Sequence, residues 1–346
     1  MKPAGTGGAT DGVGIGVVGI EHLHVFELVD GLASAGGRAV AHAGAPGPLT
    51  EAYGAWQAGS RATDIDGVLD DPDVQLVVLA GIPAERSAVA VAALVAGKDV
   101  LSDKPGATSA AQLDELRRTV TASGRRWWVL FSERFGSPAV VEAVRLARSG
   151  RIGRVVAVQG SAPHRGSLDL RPDWFFDGRA GGGILVDLGS HQADQFLALT
   201  GAAGPDVRVV AAAAGNTAAP DRPGFQDIGE MLLATDGTRG HHRVDYLEAD
   251  GFPTWGDIRL VVTGTGGRVE VRTPVDGSGA TGPTEVWVTD HDGVTRHDHA
   301  PEVSWAADLL ADRADGGERL LSREHPFAVT DLTLRAAAVA TDWTAP

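Results

Sequence analysis

Lys104 is the residue whose type most invites a chemical reading. The chain has three lysines against 27 arginines, and one of the three stands in Leu101-Ser102-Asp103-Lys104-Pro105-Gly106. A guanidinium keeps its proton at any physiological pH, whereas an ammonium can release one when partly buried. Pro105 lacks an N–H and so ends a strand. That puts Lys104 at the carboxyl edge of a sheet, where it could exchange a proton with a substrate hydroxyl. A surface lysine in a turn is the simpler alternative.

A longer constellation runs through Arg171-Pro172-Asp173-Trp174-Phe175-Phe176 and then Gly181 to Phe196. A helix over 183–199 would place Asp187 and His191 four apart on one face, with Asp194 three further on. Polar groups in a row of an otherwise apolar helix need partners if buried. Either they form a satisfied core network, or His191 is an acid–base group that Asp187 orients and stabilises in its charged form.

The third feature is Gly19-Ile20-Glu21-His22-Leu23-His24, after an apolar run. A dinucleotide loop reads G-x-G-x-x-G, with a tight turn, bare backbone facing pyrophosphate and close helix packing. Only the first glycine survives. Glu21 takes the second position, where a Cβ crowds the phosphates and a carboxylate repels them. The second strand ends His42-Ala43-Gly44-Ala45, without the acid that accepts the ribose 2′-hydroxyl and without an arginine for a 2′-phosphate. His22, His24 and a nearby His42 suggest a metal. Two imidazoles still need a third ligand and outer partners, so no metal is expected. His241, His242, His291, His297 and His299 read as surface, and Trp127 and Trp128 as core.

The elements that must position these residues fall into two groups. Strands at 13–19, 38–44, 74–81, 99–102 and 125–131 alternate with helices at 23–34, 48–59, 64–71, 83–97 and 109–124. Nearly continuous apolar strands between helices indicate a parallel sheet covered on both faces. The crossover rule makes it an α/β, doubly wound, nucleotide-binding type. Beyond 133, helices at 137–149 and 183–199 precede strands at 206–214, 226–235, 240–248, 257–264, 267–272 and 284–290, with a last helix over 327–343. Tight glycine turns between those strands describe an α+β domain with a mostly antiparallel sheet. The expected division is a disordered tail at 1–12, a nucleotide-binding domain at 13–132 and a second domain at 133–346, with the site in the cleft between.

Composition bounds the partners. The 346 residues suit two domains, and 43% hydrophobic residues suffice for full cores. Without cysteine there are no disulfides, thiolate nucleophiles or Cys-based zinc sites. The net charge of −15 opposes nucleic-acid and anionic-membrane binding, which need a basic face. No apolar run approaches the ~18 residues of a membrane span. The opening MKPAGTGGATDG has no export-signal core, and a cytoplasmic location is expected.

Four segments together resemble one family, the Gfo/Idh/MocA oxidoreductases, which include glucose–fructose oxidoreductase and inositol dehydrogenase. VGIGVVGI (13–20) resembles its first strand and turn. IPAERSAVAVAALVAGKDVLSDKP (82–105) resembles the strand–helix–strand leading to its Glu-Lys-Pro. GGGILVDLGSHQADQF (181–196) resembles its Gly-Gly-Gly…Asp-x-Gly-x-His-x-x-Asp helix, and DIRLVVTGTGGRVEVR (257–272) its sheet-domain strand and turn. The resemblance implies a Rossmann domain carrying NAD or NADP and a sheet domain that closes the substrate site and forms a homo-oligomer, a dimer or tetramer. Lys104 matches the family's catalytic lysine, His191 its active-site histidine and Asp187 its acidic partner. Gly19, Ile20, Glu21, His22, Gly81, Pro83, Asp103 and Lys104 are then expected to hold the cofactor. Arg171, Trp174, Asp187 and His191 are expected to face the substrate, a sugar, cyclitol or related polyol.

The departures are Asp103 for Glu, Ser87 where many members have histidine, and Glu21 and His24 for two fingerprint glycines. They bear on cofactor strength and preference more than on the catalytic pair. The expected activity is hydride transfer to or from a secondary alcohol. The alternatives are an enzyme that uses tightly held NAD transiently for elimination, epimerisation or glycoside cleavage, and a non-catalytic ligand sensor.

Overall fold

The computed structural model describes residues 12–275, 278–280, 282–297 and 301–344. Residues 1–11 of the expected tail, and His299, lie outside them. The first sheet is built from β1 (Gly14–Val18), β2 (Arg38–Ala43), β3 (Arg61–Ala62), β4 (Leu76–Leu79), β5 (Asp99–Asp103) and β6 (Trp127–Leu130). All pairs are parallel, in the order β3-β2-β1-β4-β5-β6. This is the doubly wound order, whose switch point lies between β1 and β4. Every residue of β1, β4, β5 and β6 is buried, because helices cover both faces.

Those helices are α1 (His24–Ser34), α2 (Pro48–Trp56), α3 (Ile65–Leu69), α4 (Pro83–Val95) and α5 (Ala110–Ser123). In α1 the buried set Val25, Leu28, Val29 and Leu32 follows the three-and-four spacing of one helix face. Ser109 caps α5 by accepting from the Gln112 N–H, and Gly124 ends it at φ +67°. Pro83 opens α4 at a position that needs no N–H.

After α6 (Ser132–Phe135) and α7 (Pro138–Arg148), the chain enters a nine-stranded sheet. Its strands are β7 (Val155–Pro163), β8 (Arg208–Gly215), β9 (Ile228–Ala234), β10 (Arg239–Asp245), β11 (Arg259–Gly264), β12 (Gly267–Arg272), β13 (Glu285–Asp290), β14 (Gly293–His297) and β15 (Thr341–Asp342). The order is β14-β13-β12-β11-β7-β10-β9-β8-β15, antiparallel except at β7–β10 and β8–β15. Short helices α8 (Gly178–Gly181) and α9 (Ile184–Asp187) lead into α10 (Gly189–Thr200). Glycines let α10 settle on the sheet: a Cβ on Gly160 would meet Gln192 at 2.0 Å, and one on Gly240 would meet Phe196 at 2.7 Å. Two further helices, α11 (Trp305–Asp315) and α12 (His325–Val339), return to the first domain. There Phe327 packs on Trp127, with ring centroids 4.9 Å apart. Among the described residues no helix is long and apolar enough to cross a membrane.

The expected helix over 183–199 is two helices with a turn at Leu188. β7, central in the sheet, is not expected from the sequence because Gln159, Gly160 and Ser161 interrupt its apolar pattern. Nor does the sequence pattern predict β3, β14, β15 or α11. Trp127 and Trp128 are core, as expected. His242 is not surface: β10 turns it inward, fully buried, against Gln192 of α10. His297 is half-buried against Glu142.

Candidate active site

Strand β5 delivers Asp103 and Lys104 to the carboxyl edge of the first sheet. Asp103 is buried, and its carboxylate meets His24 Nδ1 at 2.8 Å, His22 Nδ1 at 3.5 Å and the Arg86 guanidinium at 3.4 Å. Burial pushes this carboxyl up, but the charges of His24 and Arg86 more than reverse that and hold it far below the usual range. Arg86, also buried, donates to the carbonyls of Gly81, Asp103 and Lys104. Asp103 therefore ties the β1–α1 loop to β5 and lies beneath the cleft; it is not one of the cleft's lining residues, as the expected cofactor contact would need.

His22, His24 and Asp103 offer ligand atoms within 4.8 Å of one another. The third ligand that sequence spacing did not supply thus exists in space. Its charge is already answered by Arg86, with the Lys104 ammonium next in the chain. Burial keeps His22 neutral, and its neighbour His24 adds to that effect.

Lys104 Nζ is 2.5 Å from Asp187 Oδ1, and the Tyr246 hydroxyl donates to Asp187 Oδ2 at 2.5 Å. Burial would raise the Asp187 carboxyl; the Lys104 charge and hydrogen bond, with Tyr246, hold it down. Tyr246 is pushed well above its ordinary value by burial and by Asp187. Asp187 thus serves Lys104, and the expected Asp187–His191 hydrogen bond is not formed. The turn at Leu188 separates the two onto different helices. His191 is 2% exposed and its Nδ1 is buried without a partner. Burial, then the charge of Lys104, keeps its imidazole neutral at physiological pH.

Lys104, Asp187 and His191 line one cleft of about 660 Å³ with Arg171, Trp174 and Tyr246. Asp194 does not reach it. Arg134 donates to Asp194 through two nitrogens, at 2.7 and 2.5 Å, and His325 lies at 2.6 Å, so Asp194 belongs to the core network. A ring platform also borders the cleft: Trp255, half exposed, lies 4.5 Å from His164 between centroids. Sequence reasoning missed Tyr246, Trp255, His164 and Glu133. Tyr246 carried a usable signal, since the chain has only two tyrosines.

A second crevice of about 350 Å³ opens at the switch point and is lined by Gly19, Glu21, Gly44, Ala45, Asp64 and Gly81 among others. Gly19 turns at φ +77°, and a Cβ there would strike the Gly81 backbone at 2.5 Å, so only glycine permits this approach of β1 to β4. Pro83 and His22 line a separate small pocket together with Arg86, Lys104 and Asp187. Ile20 is fully buried and is not among the crevice's lining residues. The bare glycine backbone and a buried, partnerless Glu21 Oε2 suit a dinucleotide with hydroxyls to donate.

Comparison with known proteins agrees with this architecture. Residues 13–131 match the description "Oxidoreductase family, NAD-binding Rossmann fold", and residues 140–270 match "GFO/IDH/MocA C-terminal domain". Inositol 2-dehydrogenase 2 of Saccharopolyspora erythraea is 28% identical over 226 residues, 65% of this chain and 62% of that one. The chain spans 62% or less of the length of the first curated relatives it matches. A crystal structure from Erwinia carotovora atroseptica is 32% identical with a TM-score of 0.91, covering 96% of this chain and 99% of that one. Levoglucosan dehydrogenase, solved with NADH and levoglucosan, shares the fold at TM-score 0.78 and 19% identity, over 94% of this chain and 97% of that one.

Proposed function

We propose a function from one premise: this chain belongs to the GFO/IDH/MocA oxidoreductase family, whose N-terminal domain is an NAD-binding Rossmann fold. The reading is an NAD(P)-dependent dehydrogenase or reductase acting on a secondary alcohol of a sugar, cyclitol or related polyol. The observation that carries it is the Lys104–Asp187–Tyr246 chain meeting His191 in one cleft. The crevice residues Gly19, Glu21 and Gly81, with Pro83 and His22 of the small pocket, would hold the cofactor. When bound, the nicotinamide supplies or takes up the hydride.

The protein's own groups manage the hydroxyl. Asp187 fixes the Lys104 ammonium, so its remaining N–H donors point at a hydroxyl or carbonyl oxygen and stabilise charge developing there. His191, kept neutral, takes the hydroxyl proton during oxidation and returns it during reduction. Trp255 and Trp174 offer apolar faces to a sugar ring, and Arg171 a donor to its hydroxyls. The sugar and cyclitol names of the relatives support this substrate class. The proposal includes a dimer or tetramer built on the nine-stranded sheet, where Val210 and Leu232 stand exposed.

Nucleotide released from the purified protein should be identified by mass spectrometry, and a panel of sugars and cyclitols tested for NADH or NADPH formation. Neither bound dinucleotide nor any substrate-dependent reduction would sink the reading and favour the sensor. One observation favours a second reading, transient oxidation followed by elimination or epimerisation. Glu133 lines the same cleft with its carboxyl pushed up to about 8 by burial, a second acid beyond the Lys104–His191 pair. Substrate turnover without net NADH would distinguish that chemistry.

A further inference from the structure

The sequence places no acid after β2, yet a carboxylate stands at that end of the strand. Glu21, which occupies the second-glycine position of the loop, turns its side chain across the crevice. Its Oε1 accepts from the Ala45 N–H at 3.4 Å, two residues beyond the end of β2. Its Oε2 is buried with no partner. That oxygen lies 3.1–3.2 Å from where a Cβ on Gly19 or Gly81 would sit, so the two bare residues make its space. A buried carboxylate oxygen without a donor is costly, and a pair of hydroxyls would satisfy it.

The charges around the crevice point the same way. Glu21, Asp64 and Glu85 line it, and Arg86 is the one arginine or lysine among its lining residues. The Arg86 guanidinium is already committed to the carbonyls of Gly81, Asp103 and Lys104 and to the Asp103 carboxylate. A phosphate monoester, with a charge near −2 at neutral pH, would meet three carboxylates and no free arginine.

The geometry points to Glu21 as the acceptor for the hydroxyl pair of the cofactor's adenosine ribose, so that the protein selects NAD and rejects NADP. The role usually held by an acid at the end of the second strand is here supplied from the loop in front of it. The residue at the displaced glycine thereby gains a function, with its Oε1 turned toward the end of β2. This inference rests on the nicotinamide reading above.

Calorimetric titration of the purified chain with NAD and with NADP tests it without any substrate. Wild type should bind NAD at least tenfold more tightly than NADP. Glu21→Gln keeps the shape and removes the charge; it should weaken NAD about tenfold, strengthen NADP and bring the ratio near one. Glu21→Ala, a second variant, should lose the preference as well, with thermal unfolding confirming that both variants fold. Equal or tighter NADP binding by wild type overturns the inference while leaving the nicotinamide reading intact. So does an unchanged NAD-to-NADP ratio in both variants. Binding of neither nucleotide to wild type at millimolar concentration overturns the reading and the inference together.

Discussion

Replacing Glu133 by glutamine should make the protein more stable at high pH and leave it nearly unchanged at low pH. Glu133 is 3% exposed; its Oε2 accepts from the side-chain amides of Gln192 and Gln195 at 3.0 Å each. Its Oε1 has no hydrogen-bond partner and faces His164 Nε2 at 3.7 Å. His164 Nδ1 lies 3.1 Å from the Ala162 carbonyl, which can only accept, so Nδ1 carries the ring proton and Nε2 presents a lone pair. A carboxylate at Oε1 would oppose that lone pair; a carboxylic acid puts a proton between them. Burial accordingly raises the group from 4.5 to about 8. The folded value exceeds the unfolded one, so this contribution to stability is complete below about pH 4.5 and is lost as pH rises through about 8. At ~1.4 kcal/mol per pH unit the whole window corresponds to about 5 kcal/mol as a ceiling. Glutamine offers an N–H to His164 and a carbonyl to the two amides, and has no proton to lose. Urea unfolding of both proteins should give free energies within about 1 kcal/mol near pH 5, and a variant advantage of roughly 2–4 kcal/mol near pH 9. A gap that is the same at both pH values would refute a neutral Glu133.

Lys104→Met should lower kcat by ~10²–10⁴, the usual worth of acid–base assistance, while calorimetry shows dinucleotide affinity little changed. Lys104→Arg should also fail, since a planar, larger guanidinium cannot place its donors where the ammonium held by Asp187 places them; full activity in either variant would remove the lysine from the chemistry. His191→Ala should cost a similar factor, and the Lys104→Met/His191→Ala double variant should fall short of the product of the singles, as for groups sharing one proton. Asp187→Asn and Tyr246→Phe should each reduce the rate less than Lys104→Met, because they loosen the ammonium without deleting it; kcat/KM values in the opposite order would contradict the arrangement. Elemental analysis of protein prepared without a histidine tag should find zinc, iron, manganese and nickel below one per chain. A stoichiometric metal lost in His22→Ala would show that a cation, and not Arg86 alone, answers Asp103.

The first domain was legible almost strand by strand, because a doubly wound sheet writes itself in local pattern. Apolar runs such as Leu76–Leu79 are buried on both faces, and helix faces such as Val25, Leu28, Val29 and Leu32 repeat at the helical period. The second domain was less legible. The interrupted pattern of β7 reflects room made for Gln192 and His242, a requirement set by α10 and β10 and not by neighbours in sequence. Chemistry-bearing residues could be nominated from scarcity and motif, and Lys104, Asp187, His191, Arg171 and Trp174 do line one cleft.

Their partners could not be nominated in the same way. Lys104 meets Asp187 across 83 positions and Tyr246 meets it across 59. Asp103 reaches His24 across 79, which turns an expected cofactor contact into an anchor for the loop. Residue types and strand edges were set by sequence because period and chain direction are properties of consecutive residues. Which carboxylate answers which cation, and that Glu21 faces Ala45 while Asp194 faces Arg134, was decided only when helices and sheets closed. Burial makes an unpaired charge too costly to leave, and the pairing that relieves it is a matter of distance in space.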